Sequence, residues 1–155
     1  MTPLMHEPLV AISRGTLRIS TDPALLDRHM IHRYLSEESY WARRVPLTVV
    51  ERSIQHSLNF GLYDEDRQIG FARVITDRAT FAFVRDVFVL SEYRSQGLGT
   101  WLMEVLLDHP DLQRLRRVML ATRDAESLYK RLGFHPLARP ELFFAIETKS
   151  KELYP

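Results

Sequence analysis

The chain has 155 residues, 45% of them hydrophobic and 26% charged, which suffices for one core in one compact α/β domain and is too little for two. Its 21 basic and 20 acidic side chains leave a formal net charge of +1, so no global field selects nucleic acid. The absence of cysteine excludes disulfide frameworks, thiolate metal sites and a cysteine nucleophile, and is compatible with the cytoplasm.

Residues 1–15 mix Pro, His and scattered apolar residues without a sustained period, so a tail or edge segment is expected there and the domain proper from residue 16 to 155. They carry no basic cluster ahead of a long apolar core. No apolar run in the chain is long enough to cross a bilayer, so a soluble, unexported protein without membrane contact is expected. Residues 16–20 alternate like a strand. Thr21-Asp22-Pro23 then offers a capping side chain and a first-turn proline, and Leu25, Leu26, Met30, Ile31, Tyr34 and Leu35 follow at helical spacing. The polar, aromatic segment SEESYWARRVP ends that helix. A second helix is expected from Thr48, where Thr48 and Glu51 resemble a capping box and Val50, Ile54 and Leu58 would face inward.

From Asn59 the period changes to that of strands. NFGLYD, IGFARVIT and TFAFVRDVFVL are rich in aromatic and β-branched residues and separated by short turns, which favours antiparallel neighbours. After Gly97 an amphipathic helix carries Leu98, Trp101, Leu102, Val105 and Leu106 until His109-Pro110. RVMLAT reads as a buried strand reached by a parallel crossover, and Asp124 opens a last helix closed by Gly133. LFFAIE, residues 142–147, reads as a final strand, and KSKELYP as a solvated end. This order implies a mixed sheet with flanking helices, an α/β arrangement of the α+β kind, neither doubly wound nor a repeat.

The stretch DVFVLSEYRSQGLGTWLM, residues 86–103, carries the chemistry. A strand, a turn, an arginine and two glycines lead into a helix, whose first turn leaves amide donors unpaired at the positive end of its dipole. That is an anion site suited to a pyrophosphate. A dinucleotide fingerprint would need a third glycine where Leu102 stands, and a nucleoside-triphosphate loop would need Lys then Ser or Thr after Gly99. Taken alone, two glycines at a helix start are also ordinary turn chemistry.

Arg94-Ser95-Gln96-Gly97-Leu98-Gly99 resembles the acetyl-CoA signature of the GNAT superfamily: Gln or Arg, two residues, Gly, one residue, Gly or Ala. The likeness extends upstream to residues 86–89, which resemble the family's fourth strand, and downstream to AESLYKRLGF, which resembles its last helix and following turn. The resemblance implies an acyl-CoA N-acyltransferase fold with a largely antiparallel sheet whose two central parallel strands splay apart. It implies acetyl-CoA as cosubstrate, with backbone amides of Gln96, Gly97, Leu98, Gly99 and Thr100 on the pyrophosphate, Arg94 near the phosphates, and Val87 and Val89 pairing with pantetheine as an added strand would. Where many relatives place Asn after the fifth strand, this chain has Thr122, Arg123 and Asp124, so Asp124 is either a cofactor contact or a helix cap.

Direct attack of an amine on a thioester requires a neutral amine and benefits from a proton for the departing thiolate. Tyr129 occupies the position where many family members carry a tyrosine general acid; otherwise it is a core aromatic beside Leu128. Asp86 is the candidate general base, and its alternative is a charge paired with Arg85 or Arg73 or the support of a strand distortion. Glu37, Glu38, Tyr40 and Trp41 are expected on the amine side, where such a group could hold a cation, or else form a solvated loop with an anchored Trp. His29 and His32 lie three apart without a third ligand, and no metal is expected. Acceptors left open are a small-molecule amine, favoured, and a peptide or protein amine. A non-catalytic acyl-CoA-binding regulatory module is the rival reading, and dimers, frequent among relatives, make a homodimer an open expectation.

Overall fold

A computed structural model describes residues 9–155 as one six-stranded sheet in the order β1 to β6, flanked by helices on both faces. The strands are β1 (Ala11–Arg14), β2 (Leu17–Ser20), β3 (Leu58–Asp64), β4 (Arg67–Thr76), β5 (Phe81–Val89) and β6 (Arg117–Met119). All neighbours are antiparallel except β5 and β6, which are parallel, as the helical crossover between them requires. β1 falls within the stretch read as a tail or edge segment and pairs with β2 from Ala11 opposite Ser20 to Arg14 opposite Leu17. Residues 1–8 lie outside the described part.

The helices are α1 (Arg28–Arg33), α2 (Leu47–Gln55), α3 (Leu98–Leu107), α4 (Glu126–Arg131) and α5 (Ser150–Leu153). The first helix departs from the continuous element that the apolar spacing predicts: a 3-10 turn (Pro23–Leu25), then α1, then a π turn (Tyr34–Glu38). Asp22 caps the 3-10 turn through Ala24 N, and Asp27 caps α1 through Met30 N at 3.0 Å. The amide of Asp27 donates to the Gln68 side chain on β4 at 2.7 Å, so the break is fixed by a partner 41 residues away. Leu26, Met30, Ile31, Tyr34 and Leu35 are buried as the spacing implies, while Leu25 is exposed.

The capping box at Thr48 does not form. Pro46 is the N-cap, its carbonyl accepts from Val49 N and Val50 N, and no side chain caps the helix. Leu58 is buried as expected but belongs to β3, because α2 ends at Gln55. Likewise Asp124 caps nothing: α4 begins at Glu126, and the Thr122 hydroxyl accepts from Ala125 N at 3.0 Å. Residues 142–147 also depart from expectation. After a 3-10 turn (Pro140–Leu142) they join no sheet, and Phe144 and Ile146 are 94% and 105% exposed.

Two apolar clusters sandwich the sheet. One packs Leu98, Trp101, Leu102, Val105 and Leu106 of α3 on Phe60, Leu62, Ala72, Val74, Ala82 and Val84. The other packs α1 and α2, through Met30, Ile31, Val50 and Ile54, on Phe71 and Phe88. Adjacent residues Phe71 and Ala72 serve opposite clusters, as strand alternation demands. No helix among the described residues is long and apolar enough to cross a membrane.

Candidate active site

β5 does not keep one alternation throughout. Ala82 and Val84 face the α3 cluster, whereas Phe88, an even number of residues on, faces the α1/α2 cluster. One extra residue has changed the parity. Phe71 pairs with Phe88 and Arg73 with Arg85, so Asp86 and Val87 together oppose the single residue Ala72: a β-bulge. Asp86 takes the left-handed conformation there, φ 54°, which Asp tolerates better than most side chains.

Buried at the bulge, the Asp86 carboxylate accepts from Arg73 Nε through Oδ2 at 2.8 Å and from Trp41 Nε1 through Oδ1 at 2.8 Å. Arg73 in turn donates to the Ser57 hydroxyl at 3.1 Å. Of the alternatives for Asp86, the paired charge that supports a strand distortion is the geometry found. The indole bond also ties the loop after the π turn to β5, bringing Tyr40 and Trp41 edge to face over the opening, with ring centroids 5.0 Å apart.

From Val84 onward, ahead of the bulge, the sheet opens. β5 and β6 pair only from Phe81 opposite Arg117 to Phe83 opposite Met119, while β5 runs on to Val89. The diverging strands leave a cleft of about 440 Å³ lined by Tyr40, Trp41, Asp86, Val87, Leu120 and Tyr129, with Asp124 also on its wall. Arg85 and Arg123 line it as well, signals that no local motif carries. The Arg123 guanidinium lies 3.7 Å from the centroid of the Tyr40 ring, and its amide donates to the Tyr40 hydroxyl at 3.2 Å. That aromatic face is therefore covered by a cation of the protein itself.

Tyr129 projects from α4 into the cleft, edge to face with Phe134 at 5.8 Å. Burial raises its pKa above the ordinary tyrosine value, and the nearby Tyr40 and Asp124 add in the same direction. Its hydroxyl makes no hydrogen bond among the described residues. A protonated phenol at neutral pH with a donor to spare is what a proton-giving role needs.

Past the cleft, β5 leads into the glycine loop. Gly97 is the N-cap of α3 with φ 74°, no side chain caps the helix, and Gly97 O accepts from Trp101 N at 3.0 Å. The amides of Leu98, Gly99 and Thr100 thus head a ten-residue helix with no carbonyl of the preceding turn to meet. A Cβ at Gly97 or Gly99 would meet nothing within 4 Å, so the space before these amides is open to a ligand. Gln96 is exposed beside them.

Arg94 turns back instead of standing clear. Its Nε donates to the Val89 carbonyl at 3.1 Å and a terminal nitrogen to the Tyr34 hydroxyl at 3.0 Å. Tyr34 is itself stacked on Phe88, centroids 3.8 Å apart, so a π-turn residue not foreseen as part of the site braces the loop. Glu37 and Glu38 are exposed and are not among the cleft-lining residues; the Glu37 carbonyl accepts from Arg43. His32 Nε2 lies 2.9 Å from the Val45 carbonyl, a link between α1 and the start of α2.

A mixed sheet whose parallel pair splays beside a glycine-led helix start defines an acyl-CoA acyltransferase fold. Residues 55–136 match the family model described as an acetyltransferase (GNAT) domain, and the chain belongs to the GNAT family of acetyltransferases. A Gibberella zeae protein named for acetyltransferase activity is 35% identical over 78% of this chain and 80% of its own. A GNAT-family crystal structure from Xanthomonas campestris is 48% identical, covers 86% of this chain and 94% of that one, and superposes with a TM-score of 0.85. A Mycobacterium tuberculosis structure in complex with CoA shares the fold, with a TM-score of 0.59 at 20% identity over 72% of this chain and 68% of its own. The protein is an acyltransferase enzyme.

Proposed function

We propose that the chain transfers an acetyl group from acetyl-CoA to a primary amine, of small-molecule size, by direct attack in a ternary complex, and that it works in the cytoplasm. The observation that carries this reading is the wedge between β5 and β6, which has Tyr129 on its wall and gives way along β5 to the open amides of α3. A slot beside β5, with open helix-start amides further along the chain from the same strand, fits a thioester at the end of a phosphorylated arm. The neighbour with CoA has the same fold and supports the choice of donor.

In this reading Gln96, Gly97, Leu98, Gly99 and Thr100 hold the pyrophosphate through backbone amides, and Val87 offers its backbone to the pantetheine arm. Val89 contributes less, since its carbonyl already accepts from Arg94, and Arg94 acts mainly by bracing the loop. Asp124 stands on the cleft wall as a further cofactor-side contact. The amine nitrogen forms its bond to the acyl carbon as the carbon–sulfur bond breaks. The amine's proton leaves to water, and the sulfur takes the Tyr129 proton, which solvent restores. Asp86 serves as a positioning residue, because taking a proton would disturb its bonds to Arg73 and Trp41.

The cleft's volume of about 440 Å³, with the Tyr40 face already occupied by Arg123, favours a small acceptor over a peptide. Thiol release measured across a panel of small amines, amino acids, polyamines and peptides tests this. Turnover with a small amine, with acetyl-CoA preferred over longer acyl-CoAs, is the expected result. Turnover with peptides alone would overturn the acceptor size, and CoA binding without any turnover would favour a regulatory module.

A further inference from the structure

The cleft wall carries two cations that the chain itself does not neutralise. Arg85 on β5 and Arg123 in the loop after β6 both line the cleft and are both exposed. Among the described residues neither guanidinium makes a hydrogen bond or an ion pair. Each lies instead over a ring, Arg85 at 5.6 Å from the Phe83 centroid and Arg123 at 3.7 Å from that of Tyr40. Contact with a ring face consumes none of a guanidinium's N–H donors, so both forks stay open to an oxyanion.

The charges on the wall do not balance. Asp86 is already matched by Arg73 at 2.8 Å, which leaves Asp124 as a single carboxylate against Arg85 and Arg123. The Tyr40 ring, the natural seat for a cationic acceptor, is filled by Arg123. That guanidinium is also held in place in advance. Asp86 fixes Trp41 by its indole, Trp41 meets Tyr40 edge to face, and the Tyr40 hydroxyl accepts from the Arg123 amide. The network at the bulge therefore ends on a stationed cation with unspent donors.

We propose that the acceptor is a primary amine bearing an oxyanion on the same small molecule, a carboxylate or a phosphate, and that Arg123 and Arg85 select it by binding that group. A guanidinium fork suits either oxyanion, because two parallel N–H bonds can meet two oxygens. The same positive charges disfavour the ammonium form of the acceptor and so favour the neutral amine that attack requires. This inference rests on the amine-transfer reading above and adds what that reading leaves open.

The test is steady-state thiol release at saturating acetyl-CoA with matched acceptors: amino acids beside their amides and decarboxylated amines, and aminoalkyl phosphates beside the amino alcohols. The anionic member of a pair should have a kcat/KM about 10²-fold higher, mostly through KM, and the pair that shows this tells carboxylate from phosphate. Arg123→Gln and Arg85→Gln should each cut that advantage by about 10-fold, while Arg123→Lys keeps part of it. Acetyl-CoA affinity, read by calorimetry, should not follow the loss; a parallel fall would assign the cations to the cofactor and overturn the proposal. Turnover of the neutral members as fast as the anionic ones would overturn it too, while leaving amine transfer intact. No turnover with any amine, with acetyl-CoA bound, would instead sink the amine-transfer reading and this inference with it. The wild-type ratios decide the matter if a variant fails to fold.

Discussion

Asp86 joins three structural tasks in one side chain: it bears the bulge, neutralises Arg73 and holds Trp41 by its indole. Its substitution by Asn keeps a side chain tolerant of positive φ but leaves a buried guanidinium without its counter-charge. The expected loss is about 3–5 kcal/mol of stability, read by chemical denaturation. Because the carboxylate is already engaged, the shape of the low-pH limb of kcat/KM should stay as in the wild type. A low-pH limb that shifts in Asp86→Asn would return the base role to Asp86. Tyr129 is the complementary case. As a proton donor it must stay protonated, and since burial raises its pKa above the ordinary value of 10.0, kcat should fall only at still higher pH. Tyr129→Phe should lower kcat by about 10²-fold or more, remove that alkaline limb and leave acetyl-CoA affinity nearly unchanged. Unaltered turnover would refute the acid role. The position of Tyr129 was legible from its motif and the Arg73 pair was among the alternatives open for Asp86, but the Trp41 bond was not, since Trp41 lies 45 residues away in sequence and no local pattern encodes such a pairing.

At the scale of elements, the start of α3 is where local sequence and structure agree most closely. Gly97 adopts positive φ with open space before it, so the two glycines foretold the geometry of the loop, and the phosphate site there belongs to the proposed function. Gly97→Asp should therefore abolish measurable acetyl-CoA binding, by strain and by a negative charge set against the phosphates. Retained affinity in calorimetry would displace the proposed phosphate site. Elements governed by distant contacts were read less well. The apolar spacing of the first helix identified five buried side chains correctly, but the 3-10 and π irregularities depend on Asp27 meeting Gln68 and on the loop pulled toward β5. The capping box at Thr48 failed because Pro46 already takes the N-cap position two residues earlier. LFFAIE has the alternation of a strand, yet residues 142–147 join no sheet, because alternation alone does not supply an edge to pair with.

On the scale of the whole molecule, the antiparallel run of β3, β4 and β5 follows from two short turns, and the parallel β6 from the α3 crossover, so the mixed topology was accessible from order and loop length. The splay was not. It emerges where β5, distorted at Asp86, runs past the short β6, and it is this separation that turns a sheet into a site. Acetyl-CoA binding within the splay is the central claim, and calorimetric titration of the purified protein with acetyl-CoA tests it most directly. The account predicts saturable binding with one site per chain. The absence of any saturable heat, with the protein folded, would contradict it.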